Sequence, residues 1–358
     1  MHCEVSMLPR AFSFKTLNEA SKQTLKVQIP ATKDKSKPLL DHRHCGVSSV
    51  KYHTIETGFL LRRFSNTWEL QVLYAMLFLL IYLMALIGNL LIFTLISVDG
   101  HLHTPMYFFL KNLSFLDLCL ISVTVPKTIV NSLSHSSSIS YLGCVLQLFL
   151  VLLFAGSEIS LLTVMSYDRY VAICQPLHYE TIMIKESCIR MAVASWFSGG
   201  MIGTMYSAST LTLPFCSSHE IHQFFCDVPS LLRISCSENF IAIYVSIAIG
   251  LGLGIFCCIF VIISYGHIFS TVLKIPATEG RSKVFSTCFP HLIVFLVFII
   301  TGAMAYLKPP LESDSILDLL LSTFYTVMPP TLNPIIYSLR NKDIKSSFRK
   351  FITNTQRN

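Results

Sequence analysis

From Leu70 to Ser97 the chain runs without a single charged residue. Few folds admit such a stretch, because roughly 20 apolar residues are what a helix needs to cross the hydrocarbon core of a bilayer. Six more predominantly apolar stretches of sufficient length follow, at about residues 105–132, 141–173, 187–213, 240–273, 283–307 and 315–339. They predict an all-α membrane protein, a seven-transmembrane helix bundle. Beyond them, residues 342–352 alternate Lys345, Arg349 and Lys350 with Ile344, Phe348, Phe351 and Ile352. That pattern predicts a short amphipathic helix lying on membrane lipid. Composition agrees: 53% of residues are hydrophobic and 13% charged, with a mean hydropathy of +0.60. Soluble domains carry about 25% charge.

Three regions are expected. Residues 1–66 scatter Lys15, Lys22, Lys26, Lys33, Lys35, Lys37, Arg43 and Lys51 through polar sequence without periodicity. Such a segment buries too little apolar surface to offset its ordering entropy and reads as a disordered tail. His42, His44 and Cys45 have no second Cys/His pair nearby, so no metal is expected there. Residues 67–340 form the helix bundle and 341–358 a tail with the amphipathic helix. The net charge of +7 lies mainly in the N-terminal tail and at helix ends, which gives no reason to expect a nucleic-acid partner. Lys111, Arg169, Lys185, Arg190, Lys274, Arg281, Lys283 and Arg340 gather on one side of the spans, against Lys127, Arg233 and Lys308 on the other. The positive side faces the cytosol, which puts the C-terminus inside and the N-terminus outside. The basic tail argues the other way, but long tails weigh less than short loops in this rule. Cys144, Cys216, Cys226 and Cys236 then lie on the outer face, where disulfides form; four cysteines allow three connectivities.

Asp117 and Glu158 are ionisable residues inside spans, each costing about 2.5–3.5 kcal/mol even on lenient insertion scales. Helical rise puts Asp117 roughly 20 Å and Glu158 roughly 16 Å from the cytosolic face, with Asn89 and Asn333 on the inner halves of helices one and seven. Two ionised carboxylates at one depth repel, so one holds a proton or a cation such as Na+ sits between them. The competing reading is a hydrogen-bonded packing cluster. Gly199, Gly200 and Gly203 in helix four are expected to allow close helix packing.

Five strings, in order and each at the right end of a predicted helix, carry a family resemblance. They are Gly88-Asn89; His103-Thr104-Pro105-Met106-Tyr107-Phe108-Phe109-Leu110 with Leu113-Ser114 and Asp117; Met165-Ser166-Tyr167-Asp168-Arg169-Tyr170-Val171-Ala172-Ile173-Cys174; Lys283-Val284-Phe285-Ser286-Thr287-Cys288; and Asn333-Pro334-Ile335-Ile336-Tyr337-Ser338-Leu339-Arg340-Asn341-Lys342. Over about residues 57–343 the chain resembles the olfactory receptors, a branch of rhodopsin-like G-protein-coupled receptors. The resemblance implies a plasma-membrane protein of olfactory neuron cilia that binds a small odorant and activates a stimulatory, olfactory-type heterotrimeric G protein to raise cAMP. It implies coupling through Asp168, Arg169, Tyr170, Asn333, Pro334 and Tyr337, and disulfides pairing Cys144 with Cys226 and Cys216 with Cys236. It also supports the Na+ reading at Asp117.

The chain departs from the family in places. No glycosylation sequon precedes helix one, Gln223-Phe224-Phe225-Cys226 replaces a His-Phe-Phe-Cys string, and Phe298-Ile299-Ile300 replaces Phe-Tyr-Gly. Registering helices three, five and six from Cys144, Arg169, Tyr265 and His291 offers Val151, Leu152, Ala155, Gly156, Ile249, Leu253, Ile299 and Tyr306 as a ligand cavity, apolar apart from one hydroxyl. For each position singly, ordinary bundle packing is the competing reading. The sequence contains no nucleophile elbow, zinc-protease string or phosphate loop, so an enzyme is not expected. A channel lined by Asp117 and Glu158 is the better rival.

Overall fold

The computed structural model describes residues 58–62, 67–134, 137–215, 220–221, 223–237, 240–274, 279–306 and 316–355. Helix one is Trp68–Val98, two Pro105–Leu133, three Tyr141–Cys174, four Lys185–Leu211, five Ile241–Lys274, six Glu279–Tyr306 and seven Ile316–Arg340. Helices one, two, three and five, and residues 284–304 of six, are long and apolar enough to cross a membrane. Helices four and seven are of similar length, and helix four dilutes its apolar residues with serine, threonine and glycine. The surface helix, Lys342–Thr355, exposes Phe348, Phe351 and Ile352 beside Lys345, Arg349 and Lys350.

Helix starts follow local chemistry. Pro105 occupies the first turn of helix two, where its missing N–H costs nothing. Ser140 caps helix three by accepting from the Gly143 N–H at 3.1 Å. Helix six continues through Pro290, and helix seven through Pro329, Pro330 and Pro334.

Helix three lies at the centre and touches helices two, four, five and six. Its closest approach is to helix four. A Cβ added at Gly199 would stand 2.2 Å from the Leu153 carbonyl oxygen, and one at Gly203 2.8 Å from that of Phe149. Missing side chains therefore let the two backbones meet, the usual device where lipid supplies no hydrophobic drive between helices. Gly200 has nothing within 4 Å of its added Cβ and takes no part.

At the Cys144 end, Phe59–Leu61 (β1), Ser138–Ile139 (β2) and Glu220–Ile221 (β3) form a small sheet in the order β2-β1-β3. β1 runs antiparallel to β2 and parallel to β3. Phe59 and Leu61 point into a cluster with Cys144, Leu148, Tyr206, Ile221 and Cys226. This corrects the reading of residues 1–66 as tail throughout, since two buried side chains hold residues 59–61. Residues 1–57, with His42, His44 and Cys45, lie outside the described residues.

Candidate functional site

Two polar constellations are built into the apolar bundle. The first lies at mid-depth, where Asp117, Glu158 and Asn89 are fully buried and Asn333 nearly so. The Asn333 carboxamide nitrogen donates to both Asp117 oxygens, at 3.1 and 3.0 Å, and to Glu158 Oε1 at 3.1 Å. One side chain of helix seven thus joins carboxyl groups from helices two and three, as their expected depth requires. Asn89 lies apart from that triad. Its nitrogen donates to the Ala85 and Pro330 carbonyls, at 3.0 and 2.8 Å, and so ties helix one to helix seven. Glu158 Oε2, Asn333 Oδ1, Asn89 Oδ1 and Ser157 Oγ are buried without hydrogen-bond partners. Among the described residues, no group of three or more His, Cys, Asp and Glu is arranged around a metal ion.

The second constellation lies at the end opposite the disulfide. Arg169 folds back on Asp168, with Nε 2.9 Å from Oδ2 and an Nη2 contact to the same oxygen. Tyr179, in the short helix Tyr179–Ile182, donates to Asp168 Oδ1 at 2.8 Å. Burial and the nearby Asp168 charge raise the Tyr179 hydroxyl above its ordinary pKa, which keeps it a donor. Tyr170 stacks on Tyr167 and lies beside His267 of helix five. Tyr337 is buried with an unpaired hydroxyl, and Pro334 packs against helix one at Gly88.

A bridge absent from the expected site lies close by. His291 of helix six sets Nε2 2.9 Å from the Leu162 carbonyl of helix three, and Nδ1 2.8 Å from the Tyr265 hydroxyl of helix five. A neutral ring protonated on Nε2 satisfies both contacts, donating to the carbonyl and accepting from the hydroxyl. Histidine inside a span is itself a signal of function, and on that ground His291 was findable.

Placement divides the expected cavity. Val151 is buried, Ala155 is half-buried, and Ile299 packs on the main core. Leu152 packs on the disulfide-end cluster. Three positions are corrected. Gly156 faces helix four, its added Cβ 3.1 Å from the Gly199 Cα and 3.2 Å from Ile202 Cδ1. Ile249 and Leu253 are 46% and 42% exposed on the outward face of helix five. The Tyr306 side chain lies outside the described residues. Cys144 and Cys226 form the expected disulfide. Cys236 is also disulfide-bonded, and its expected partner Cys216 lies outside the described residues.

Seven helices around a central third, with a disulfide at one end and an acid–base pair at the other, define a membrane helix bundle of the rhodopsin fold. Squid rhodopsin superposes with a TM-score of 0.67 at 15% identity, covering 83% of this chain and 91% of that one. The olfactory receptor family model matches residues 78–355. Human olfactory receptor 14A2 is 61% identical over 302 residues, covering 84% of this chain and 96% of that receptor; human olfactory receptor 14A16 is 59% identical, covering 82% and 94%. The chain belongs to the olfactory receptor family. It is a G-protein-coupled receptor and not an enzyme.

Proposed function

We propose that the protein binds a small, mostly hydrophobic odorant within the disulfide-side half of its bundle and activates a stimulatory, olfactory-type G protein to raise cAMP. The observation that carries this is the bridge and ion pair at the opposite end. Asp168 holds Arg169 within helix three, while His291 holds helices three, five and six together. An odorant that favours a state in which helix six has moved away shifts the population toward it, to the extent that it binds the two states differently. Arg169, Tyr170 and Tyr337 then become available to the G protein, with Asp168 released as counter-ion. In this reading the disulfide end is extracellular and the Arg169 end cytosolic, as the flanking charges direct, in the plasma membrane of olfactory cilia.

Asp117, Glu158 and Asn333 couple the two ends. The unpaired buried oxygens Glu158 Oε2 and Asn333 Oδ1, beside the Asp117 carboxylate, fit a hard cation such as Na+, which prefers oxygen donors. Bound there, it offsets one of the two carboxylate charges and relieves their repulsion; a proton shared between them does the same. Asp117→Asn should then remove any dependence of agonist potency on Na+. A diverse odorant panel with a cAMP reporter tests the whole reading. Agonists should include hydrophobic alcohols, ketones, esters or terpenes, and not short acids or amines. The response should survive removal of extracellular Na+ and Ca2+, which a channel's would not, and Arg169→Ala should abolish it at equal surface density. A normal response from Arg169→Ala would overturn the coupling role.

A further inference from the structure

Asn131 stands in the last turn of helix two, at the disulfide end, and is 6% exposed. Neither its carboxamide oxygen nor its nitrogen has a hydrogen-bond partner. Each buried polar group left unmade costs on the order of 1–3 kcal/mol, so such a residue needs a reason. The obvious local remedy is not used. Asn89 and Asn112 each donate to the carbonyl four residues back, at 3.0 and 2.9 Å, and Asn131 does not. Its neighbours on the same face do satisfy themselves within the helix: Thr124 bonds to the Leu120 carbonyl at 3.1 Å and Thr128 to that of Thr124 at 3.0 Å.

That face carries Asp117, Thr124, Thr128 and Asn131 at spacings of seven, four and three, one inward stripe of helix two. Asn131 is its last member. Helix two is pinned lower down, where Gln147 donates to the Val123 carbonyl at 3.0 Å and accepts from the Cys226 N–H at 3.0 Å. Eight residues beyond Val123, Asn131 sits roughly 12 Å further along the axis. It is therefore an uncharged donor and acceptor, buried at the disulfide end of the bundle.

We propose that Asn131 is a ligand-recognising residue whose carboxamide takes the hydroxyl of an aliphatic alcohol at the disulfide end of the bundle. A hydroxyl donates and accepts through one atom and so completes both halves of the amide, whereas an ether oxygen can only accept. A carboxylate would leave the amide oxygen unpaired. The inference rests on the odorant-receptor reading and narrows its ligand class.

The test uses the full-length receptor, a cAMP reporter and isomeric probes: 1-octanol against 1-methoxyheptane, with homologues on either side. The wild type should respond to the alcohols at concentrations at least tenfold below the ethers. Asn131→Leu, similar in size but apolar, should close that gap by weakening the alcohols about tenfold, equivalent to about 1.4 kcal/mol, with the ethers within twofold. Equal shifts for both series at matched surface density, or none, would mean that Asn131 holds a bridging water only and would overturn the proposal. Should Asn131→Leu not reach the surface, Asn131→Ala, which also removes both amide atoms, carries the same comparison. A receptor silent to every alcohol and ether but responsive to another class refutes this inference and leaves the receptor reading standing. Silence to all classes, with no cAMP change that depends on Arg169, refutes both.

Discussion

Two adjacent glycines of helix four offer a matched test of how the bundle is held. At Gly199 an added Cβ would meet backbone, with the Leu153 carbonyl oxygen at 2.2 Å and the Ser157 nitrogen at 2.6 Å; at Gly200 it meets nothing within 4 Å. Non-bonded heavy atoms settle near 3.5 Å, so Gly199→Ala must drive helices three and four apart by roughly 1 Å, and a gap of that size forfeits a quarter to a half of each dispersion contact along the seam. Overpacking of this kind costs about 1–3 kcal/mol. Gly200→Ala adds no clash and gains helix propensity, up to about 1 kcal/mol. The variants should differ by roughly 2–4 kcal/mol, or about 5–15 °C in melting temperature at some 2–4 °C per kcal/mol. Thermal unfolding of detergent-purified receptor, with surface density in cells alongside, measures this. Equal melting temperatures would show that the seam yields freely and that the glycines do not set the helix separation. By the same geometry Gly156→Leu should unseat helix four and lower surface delivery, and with it the response to every ligand class.

Other consequences can be checked together. Cys144→Ser breaks a bond that closes an 82-residue separation; disulfides typically contribute about 2–4 kcal/mol, so surface delivery should fall sharply, and unchanged trafficking would make the bond dispensable. Removing residues 2–50 should leave the ligand response intact, whereas removing 2–62 takes β1 as well and should abolish surface delivery; identical behaviour would argue against a structural role for the strand. Asp227 caps the short helix Val228–Ile234 through the Ser230 N–H, and burial pushes its carboxyl up to about 6. A raised carboxyl is protonated more readily folded than unfolded, so stability should fall as pH rises from about 4 through 6 and then level. Asp227→Asn keeps the cap acceptor and should flatten that slope; an unchanged melting-temperature profile would assign the pH dependence elsewhere.

The spans were legible because charge is so costly in lipid that its absence marks their ends to within a few residues. The same cost exposed Asp117 and Glu158, and simple rise along the helix brought them to Asn333. Side-chain direction was harder. At about 100° per residue, Ile249 lies 16 residues and about 160° from Tyr265, so counting back from that anchor selects the outward face. Gly156, two residues from Glu158, is turned from it by about 200° and meets helix four instead. The sheet left no trace because strands of two and three residues are too short to show alternation, and β1 lies within a segment whose composition otherwise reads as tail.

β1 is first in sequence yet central in its sheet. In a chain made and inserted from its N-terminus, Phe59–Leu61 precedes every span, but its parallel partner Glu220–Ile221 arrives only after helix four. Until then the segment has one flank at most, the two-residue strand Ser138–Ile139, and so short a two-stranded pair is marginal in water. Closure of this end is therefore a late event in biogenesis, reporting that the first four spans are in and that Cys226 has come within reach of Cys144. A receptor whose helix four is misplaced would leave its N-terminal strand unpaired outside the membrane, an exposed edge that quality control could read.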